Sequence, residues 1–144
     1  MKFSIFARRS ARKEYWLSVA GLILLSCLLA IFLPEVTSLS NALLFPWIMV
    51  WMWRLHDIGK SGWYAALPLI ASALVVLAPL AFGGKKILFA LAGDQAVLND
   101  PSAPYELYAF MLLGLVLLIQ MGFTAWLGWK PGDPAPNKFG PIPV

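Results

Sequence analysis

The residues best suited to chemistry lie in one polar decapeptide that runs from Arg54 to Trp63 between two apolar runs. Its order, Arg-Leu-His-Asp-Ile-Gly-Lys-Ser-Gly-Trp, places an imidazole, a carboxylate, an ammonium and a hydroxyl close together. Such groups serve metal-dependent hydrolysis, phosphate binding and nucleophilic catalysis. Each of these chemistries needs further groups at defined positions, and those groups decide whether the decapeptide is a catalytic site.

The further groups are missing from the sequence. His56 is the one histidine in the chain, so the His56–Asp57 pair has no second imidazole for a metal site. The Gly-Lys-Ser that ends at Ser61 lacks the earlier glycine of a phosphate-binding loop, because that position is Arg54. A triad of the same His, Asp and Ser would be crowded into one turn without separate oxyanion donors. We therefore expect no enzyme activity, no metal and no cofactor.

The composition of the 144-residue chain is that of a membrane protein. Hydrophobic residues make up 60% against ~45–50% in soluble proteins, and charged residues 12% against ~25%. Four apolar runs, at 16–33, 37–53, 64–82 and 107–129, approach or exceed the length of a membrane-crossing helix. We predict an all-α membrane protein, a four-helix transmembrane bundle formed as a single domain over 1–144. The net charge of +4 is too small to predict a nucleic-acid partner.

The basic residues predict the orientation of these four spans. Nine of the 11 Lys and Arg lie before the first span, between the second and third, or after the fourth, and Lys85 and Lys86 are the exceptions. Because cytoplasmic segments are enriched in Lys and Arg, both termini are predicted to be cytoplasmic. Tryptophans favour the membrane interface and fall at the same ends of the spans, namely Trp16, Trp51, Trp53, Trp63, Trp126 and Trp129.

Local signals add detail to the spans and their connections. Pro46 removes a backbone amide from the second run and predicts a kink there. Gly59 suits the left-handed position that ends a helix, and Ser61 suits the cap of the next helix. The apolar stretch 87–98 is expected to form a short interfacial helix. Five prolines predict an irregular cytoplasmic tail over 130–144.

Three polar segments, each adjoining a span, should meet on the cytoplasmic side because short turns make the helices neighbours. Arg54 and Asp57 are three residues apart and can pair on one helix face. Glu14 has Arg54 and Lys60 as candidate partners, and His56 is expected to be charged near neutral pH. The predicted cytoplasmic charge network comprises Arg12, Glu14, Arg54, His56, Asp57 and Lys60.

The cytoplasmic side is also the predicted binding surface, because its positive charge and tryptophans suit the anionic lipid headgroups of the bilayer. A membrane protein with an acidic patch, or a second copy of the chain, is the alternative partner. A third interpretation is that the charges only set the topology and lock the helix ends together. The residues predicted to contact lipid or a partner are Arg8, Arg9, Lys13, Trp63, Lys130 and Asn137.

A small transporter or channel formed by oligomers is the alternative function. Transporters usually carry ionisable groups within their spans, and the four apolar runs carry none. Gln120 and a kink at Pro46 are the best candidates to face a path, although an inter-helix hydrogen bond is the more ordinary role for such a glutamine. The sequence therefore favours a non-catalytic membrane component that acts through its cytoplasmic side.

Three strings in the sequence carry a family resemblance: Arg12-Lys-Glu-Tyr-Trp16, the decapeptide from Arg54, and Lys130-Pro-Gly followed by Asn137-Lys-Phe-Gly-Pro141. In this order they resemble the domain of unknown function 805 family, small proteins of the bacterial inner membrane. The family usually has Arg-Arg before Leu-His-Asp, whereas this chain has Trp53 in the first of those positions. The resemblance implies a multi-pass protein of the bacterial inner (plasma) membrane and assigns it no activity.

Overall fold

The computed structural model describes residues 8–33, 42–81, 84–99 and 105–143, and this part of the chain is helical. Within those ranges the only strand-like pairing is an isolated bridge between Asn137 and Gly140. The prediction of an all-α protein is confirmed. The helices are α1 (Arg12–Phe32), α2 (Leu44–Asp57), α3 (Ala66–Ala81), α4 (Lys85–Leu91), α5 (Gln95–Leu98) and α6 (Tyr105–Trp129), with a 3₁₀ turn at Gly62–Ala65 before α3.

Three helical segments among the described residues are long and apolar enough to cross a membrane. They are Arg12–Phe32, Gly62–Pro79 and Leu107–Trp129, with mean hydropathies of 2.3, 1.7 and 2.0. At ~1.5 Å per residue each matches or exceeds most of the ~30 Å hydrocarbon core. Three of the four predicted spans are therefore present as helices of the required length and composition.

The second predicted span, 37–53, is described only in part. Its described portion is α2, which has 14 residues, and 34–41 lie outside the described residues. Because α2 begins at Leu44, Pro46 lies in its first turn, where the backbone amides have no partner within the helix. The structure thus places Pro46 at the start of a helix instead of at a kink. The count of four spans stays a prediction.

The described chain divides into two compact units. The first comprises Met1–Ala66 and Thr124–Val144, and the second comprises Leu67–Phe123. All of the predicted charge-network and contact residues belong to the first unit. The interpretation of 1–144 as one membrane domain stays a prediction.

The core of the first unit joins α1, α2 and the last turns of α6. Tyr15, Leu55 and Leu127 are fully buried. The hydroxyl of Tyr15 donates to the carbonyl oxygen of Thr124 at 2.8 Å, and Nε1 of Trp51 donates to the hydroxyl oxygen of Thr124 at 3.1 Å. Two polar aromatic side chains on different helices therefore fix the same residue of α6.

The end of α2 follows the rules of helix termination. Gly59 has a φ of +72°, its amide donates to the carbonyl of His56, and the amide of Lys60 donates to the carbonyl of Leu55. This pair of bonds is a Schellman motif, which places glycine in the left-handed position as the sequence predicted. Ser61 precedes the 3₁₀ turn but makes no capping hydrogen bond with its side chain, so the predicted cap is wrong.

In the second unit a glutamine joins α3 and α6. The amide nitrogen Nε2 of Gln120 donates to the hydroxyl of Ser72 at 2.7 Å and to the carbonyl of Pro68 at 3.2 Å. The predicted interfacial helix over 87–98 is present as two short helices, α4 and α5. They are separated by Gly93, whose φ of +82° ends the first helix, and Asp94 caps the second through the amide of Ala96.

Candidate functional site

The candidate site lies in the first unit, where α1 begins and where α2 and α6 end. The chain before α1 crosses the end of α2, because the amide of Ser10 donates to the carbonyl of Trp53 at 3.2 Å. Nη1 of Arg54 donates back to the carbonyl of Ser10 at 3.1 Å. These two bonds hold the residues before α1 against the last turn of α2.

Arg54 and Asp57 form a buried ion pair on one face of α2. Nη1 of Arg54 is 2.5 Å from Oδ2 of Asp57, and the two residues are 0% and 3% exposed. The spacing of three residues brings them to the same face of the helix, as the sequence predicted. Arg54 also donates from Nε to the carbonyl of Leu127 and from Nη2 to the carbonyl of Lys130. It thereby satisfies carbonyls at the C-terminal end of α6, where intrahelical donors run out.

A second arginine, Arg9, completes the cluster. Its Nε and Nη2 both lie 3.1 Å from Oδ1 of Asp57, so this single carboxylate is shared by two guanidinium groups. The remaining N–H groups of Arg9 donate to the carbonyls of Asp133, Ala135 and Gly140 at 2.8, 3.0 and 3.2 Å. We call Arg9, Arg54 and Asp57 the arginine–aspartate cluster.

The sequence-based role of Arg9 needs correction. It was predicted to contact lipid or a partner, but it is only 5% exposed and all of its donors are engaged within the chain. Burial of two cations with one anion is tolerated because backbone carbonyls complete the solvation of both guanidiniums. Within the described residues, no buried side-chain nitrogen or oxygen lacks a hydrogen-bond partner.

The tail after α6 is irregular, as its prolines predict, yet it is held in place. The amide of Asp133 donates to the carbonyl of Asp57 at 2.7 Å. Nδ2 of Asn137 donates to the carbonyl of His56 at 2.9 Å and to the carboxylate of Asp133 at 2.8 Å, and its Oδ1 accepts from the amide of Phe139 at 3.0 Å. Asn137, predicted to contact lipid or a partner, instead folds the tail onto the end of α2.

Gly132 allows this close approach of the tail. A Cβ atom at this position would collide with the carboxylate of Asp57. The glycine therefore lets the chain after α6 pass directly over the arginine–aspartate cluster.

His56 is packed as a neutral ring. It stacks on Phe139 with 3.9 Å between the ring centroids, and its Nδ1 donates to the carbonyl of Arg8 at 3.3 Å. Burial lowers the pKa of His56 below its usual 6.5, and the nearby positive charge of Lys138 lowers it further, whereas the bond to Arg8 raises it. His56 is therefore neutral at pH 7, contrary to the sequence prediction.

The lowered pKa predicts how stability depends on pH. In the unfolded chain His56 takes up a proton near pH 6.5, whereas the folded chain resists protonation until lower pH. The contribution of His56 to stability is complete above pH 6.5 and is lost as the pH falls from there toward the folded-state pKa. We expect the melting temperature in detergent to fall between pH 7.5 and 5.5, and His56→Phe should reduce that fall. An equal fall in the variant would contradict the prediction.

Three members of the predicted charge network lie outside the cluster. Glu14 contacts Arg8 at 3.4 Å at an exposed position, so it pairs with neither of its predicted partners. Arg12 is exposed and donates to the carbonyl of Trp129 at 3.3 Å. Lys60 lies over the ring of Tyr64. Exposed pairs of this kind contribute only ~0–1 kcal/mol each.

The exposed cations around the cluster are paired with aromatic rings. Four such contacts occur in the first unit, with 5.0 to 5.7 Å between the charged group and the ring centroid: Arg8 over Trp53, Lys60 over Tyr64, Lys130 over Trp126 and Lys138 over Phe139. We call the exposed Arg8, Arg12, Lys13, Lys60, Lys130 and Lys138 the basic surface.

The aromatic partners in these contacts were not predicted. A signal exists for two of them, because the spacing of four between Lys60 and Tyr64, and between Trp126 and Lys130, suits contact on a helical turn. Trp63 and Trp129 add 86% and 76% exposed indoles to the same unit. The site thus consists of a buried ionic cluster surrounded by exposed cations and indoles.

These observations define a class of protein: an all-helical chain with three helices able to cross a membrane and a buried ionic cluster where helix ends meet. The chain belongs to the family described as Protein of unknown function (DUF805), whose model matches residues 3–141. The resemblance noted in the sequence is thereby confirmed. No curated protein and no solved structure matches this chain.

Proposed function

We propose that the chain is a multi-pass protein of the bacterial inner membrane with four spans and with both termini in the cytoplasm. The first support is geometric, because α1 begins at the arginine–aspartate cluster and α2 and α6 end there. A chain that leaves one side of a membrane through α1 must return through α2 to reach the same cluster. The second support is the nine of 11 Lys and Arg on the connected segments, in accord with the positive-inside rule.

The topology is tested by labelling single cysteines from outside intact cells. Cys27 is replaced by alanine, and a cysteine is placed at Lys13 or at Gln95, both of which are exposed positions. We expect an impermeant maleimide to label the Gln95→Cys variant and to leave the Lys13→Cys variant unlabelled until the cells are opened. Labelling of Lys13→Cys in intact cells would reverse the proposed orientation.

We further propose that the basic surface binds anionic lipid headgroups and that the protein acts through this contact without catalysis of its own. The observation that carries this proposal is the pairing of exposed cations with aromatic rings. Indole and phenol rings favour the headgroup region, so they hold the cations beside them at the depth of the lipid phosphates. A basic residue near an anionic membrane surface gains ~1 kcal/mol.

The internal contacts separate the binding residues from the structural ones. Arg9, Arg54 and Asn137 are engaged with the chain itself, so they stabilise the surface and do not contact a ligand. The transporter hypothesis has less support, because the amide of Gln120 is bonded to Ser72 and Pro68.

The lipid proposal predicts a selective loss in one variant. The purified protein is mixed with equal amounts of phosphatidylglycerol and phosphatidylcholine, and the retained lipid is measured by native mass spectrometry. We expect phosphatidylglycerol to be enriched, and Lys60→Gln/Lys130→Gln to reduce the enrichment roughly tenfold, since two charges near the surface are removed. The matched control is Lys85→Gln/Lys86→Gln, which removes two lysines from the second unit.

Two results would count against the lipid proposal. One is retention of both lipids in equal amounts by the unmodified protein. The other is an equal loss of enrichment in the control variant, because net charge alone would then explain the effect. Recovery of an acidic protein from native membranes in place of phosphatidylglycerol would replace lipid with the alternative partner.

A further inference from the structure

An open apolar groove of about 420 Å³ runs between α1 and α2 in the first unit. Its walls include Leu22 and Leu25 of α1 and Phe45 and Met49 of α2. The lining extends along α1 from Ser18 to Leu25, a rise of about 10 Å. In a helix pair within a membrane, an open apolar groove of this size is a place where a lipid chain fits, because it offers dispersion contacts that would otherwise be lost.

Gly21 leaves this groove open. A Cβ atom built at Gly21 meets no atom within 4 Å, so no neighbouring side chain requires glycine at this position. Its φ is not positive, so the backbone does not require glycine either. Glycine destabilises a helix interior relative to alanine, and here the loss is not offset by closer packing within the chain. The space at Gly21 is therefore available to a molecule other than the protein.

One end of the groove carries a cation. Trp53 lines the groove, and the guanidinium carbon of Arg8 lies 5.0 Å over the centroid of its ring. The side chain of Arg8 is 55% exposed, and its contact with Glu14 is long, at 3.4 Å. An apolar groove that ends at an exposed guanidinium matches an amphiphile with an apolar chain and an anionic head.

We propose that this groove holds one acyl chain of an anionic phospholipid, whose phosphate lies against Arg8. The inference rests on the proposed lipid-binding function and deepens it, because it assigns a single bound molecule to a defined place. Charge favours a lipid over a second copy of the chain, because a copy inserted in the same orientation would bring its own basic surface toward Arg8, Arg12 and Lys13. The phosphate completes the groove by supplying the opposite charge.

The test fills the groove with protein. Gly21→Leu places a side chain in the open space, and Gly114→Leu is the matched control, since Gly114 is also a helical glycine with no atom within 4 Å of a built Cβ. Native mass spectrometry with added phosphatidylglycerol should show one tightly retained lipid in the unmodified protein and in Gly114→Leu. In Gly21→Leu its retention should fall about tenfold, the equivalent of roughly two methylene groups kept out of an apolar site.

A second measurement does not depend on the folding of Gly21→Leu. The protein is reconstituted in phosphatidylglycerol brominated along its acyl chains, which quenches indoles in contact with them. The part of the quenching that disappears in Trp53→Phe reports the lining residue Trp53 directly. We expect that part to be larger than the corresponding difference for Trp129→Phe, whose indole lies outside the groove.

The outcomes separate this inference from the proposed function. A retained lipid that Gly21→Leu displaces, but that is phosphatidylcholine as often as phosphatidylglycerol, supports the acyl-chain groove and contradicts the headgroup preference. Equal lipid retention in both glycine variants, or no quenching assigned to Trp53, overturns the groove while leaving surface binding intact. A dimer that Gly21→Leu converts to a monomer would assign the groove to a second copy and also overturn the inference.

Discussion

Asp57→Asn should lower the free energy of unfolding by about 3–5 kcal/mol, because it leaves two buried guanidiniums without a counter-charge. Asp57 is 3% exposed and its two carboxylate oxygens accept from Arg9 and Arg54. Asparagine retains the shape and one acceptor oxygen but removes the negative charge. The expected result is a large drop in the melting temperature of the detergent-solubilised protein.

The control for this variant is Glu14→Gln, which makes the same chemical change in an exposed acid. Glu14 contacts Arg8 at 3.4 Å, with side chains 40% and 55% exposed, so its loss should alter stability by no more than ~1 kcal/mol. A melting temperature of Asp57→Asn equal to that of Glu14→Gln would show that the buried ion pair adds nothing to stability. The cluster would then have to be explained by function alone.

Several features of this molecule were predictable because they depend on residues close together in the sequence. The pairing of Arg54 with Asp57 follows from a spacing of three on one helix. The left-handed turn at Gly59 follows from the needs of a helix end. The boundaries of the span Leu107–Trp129 match an uninterrupted apolar run. In each case a local rule determines the outcome.

The partner choices of the charged residues were not predictable in this way. Arg8 and Arg9 are adjacent and chemically identical, yet Arg8 is exposed and Arg9 is buried. The difference arises from carbonyls of the tail that lie more than 120 residues away in sequence. Nothing in the local pattern of basic residues identifies which one faces inward, because side-chain burial here is decided by long-range packing.

The same long-range bonds make Arg9 the residue that holds the tail, and this predicts the behaviour of Arg9→Ala. The tail contains five prolines, which lack an amide donor, so much of its attachment comes from donors on other segments. Arg9 supplies three such bonds, to the carbonyls of Asp133, Ala135 and Gly140. Its removal should cost about 2–4 kcal/mol, since hydrogen bonds from a buried charged group are lost together with half of the pairing of Asp57.

Hydrogen exchange separates release of the tail from a general loss of stability. In Arg9→Ala the amides of Asp133 and Phe139, which bond to Asp57 and Asn137, should exchange at least tenfold faster, whereas amides in the middle of α6 should change less. Arg8→Ala is the matched control, because it removes the neighbouring exposed arginine and should leave the tail protected. Equal exchange in the two variants would mean that Asn137 and the backbone bonds alone secure the tail. A selective release would instead establish Arg9 as the link between the start of α1 and the end of the chain, so that the basic residues of the tail keep their places only while Arg9 is bound to Asp57.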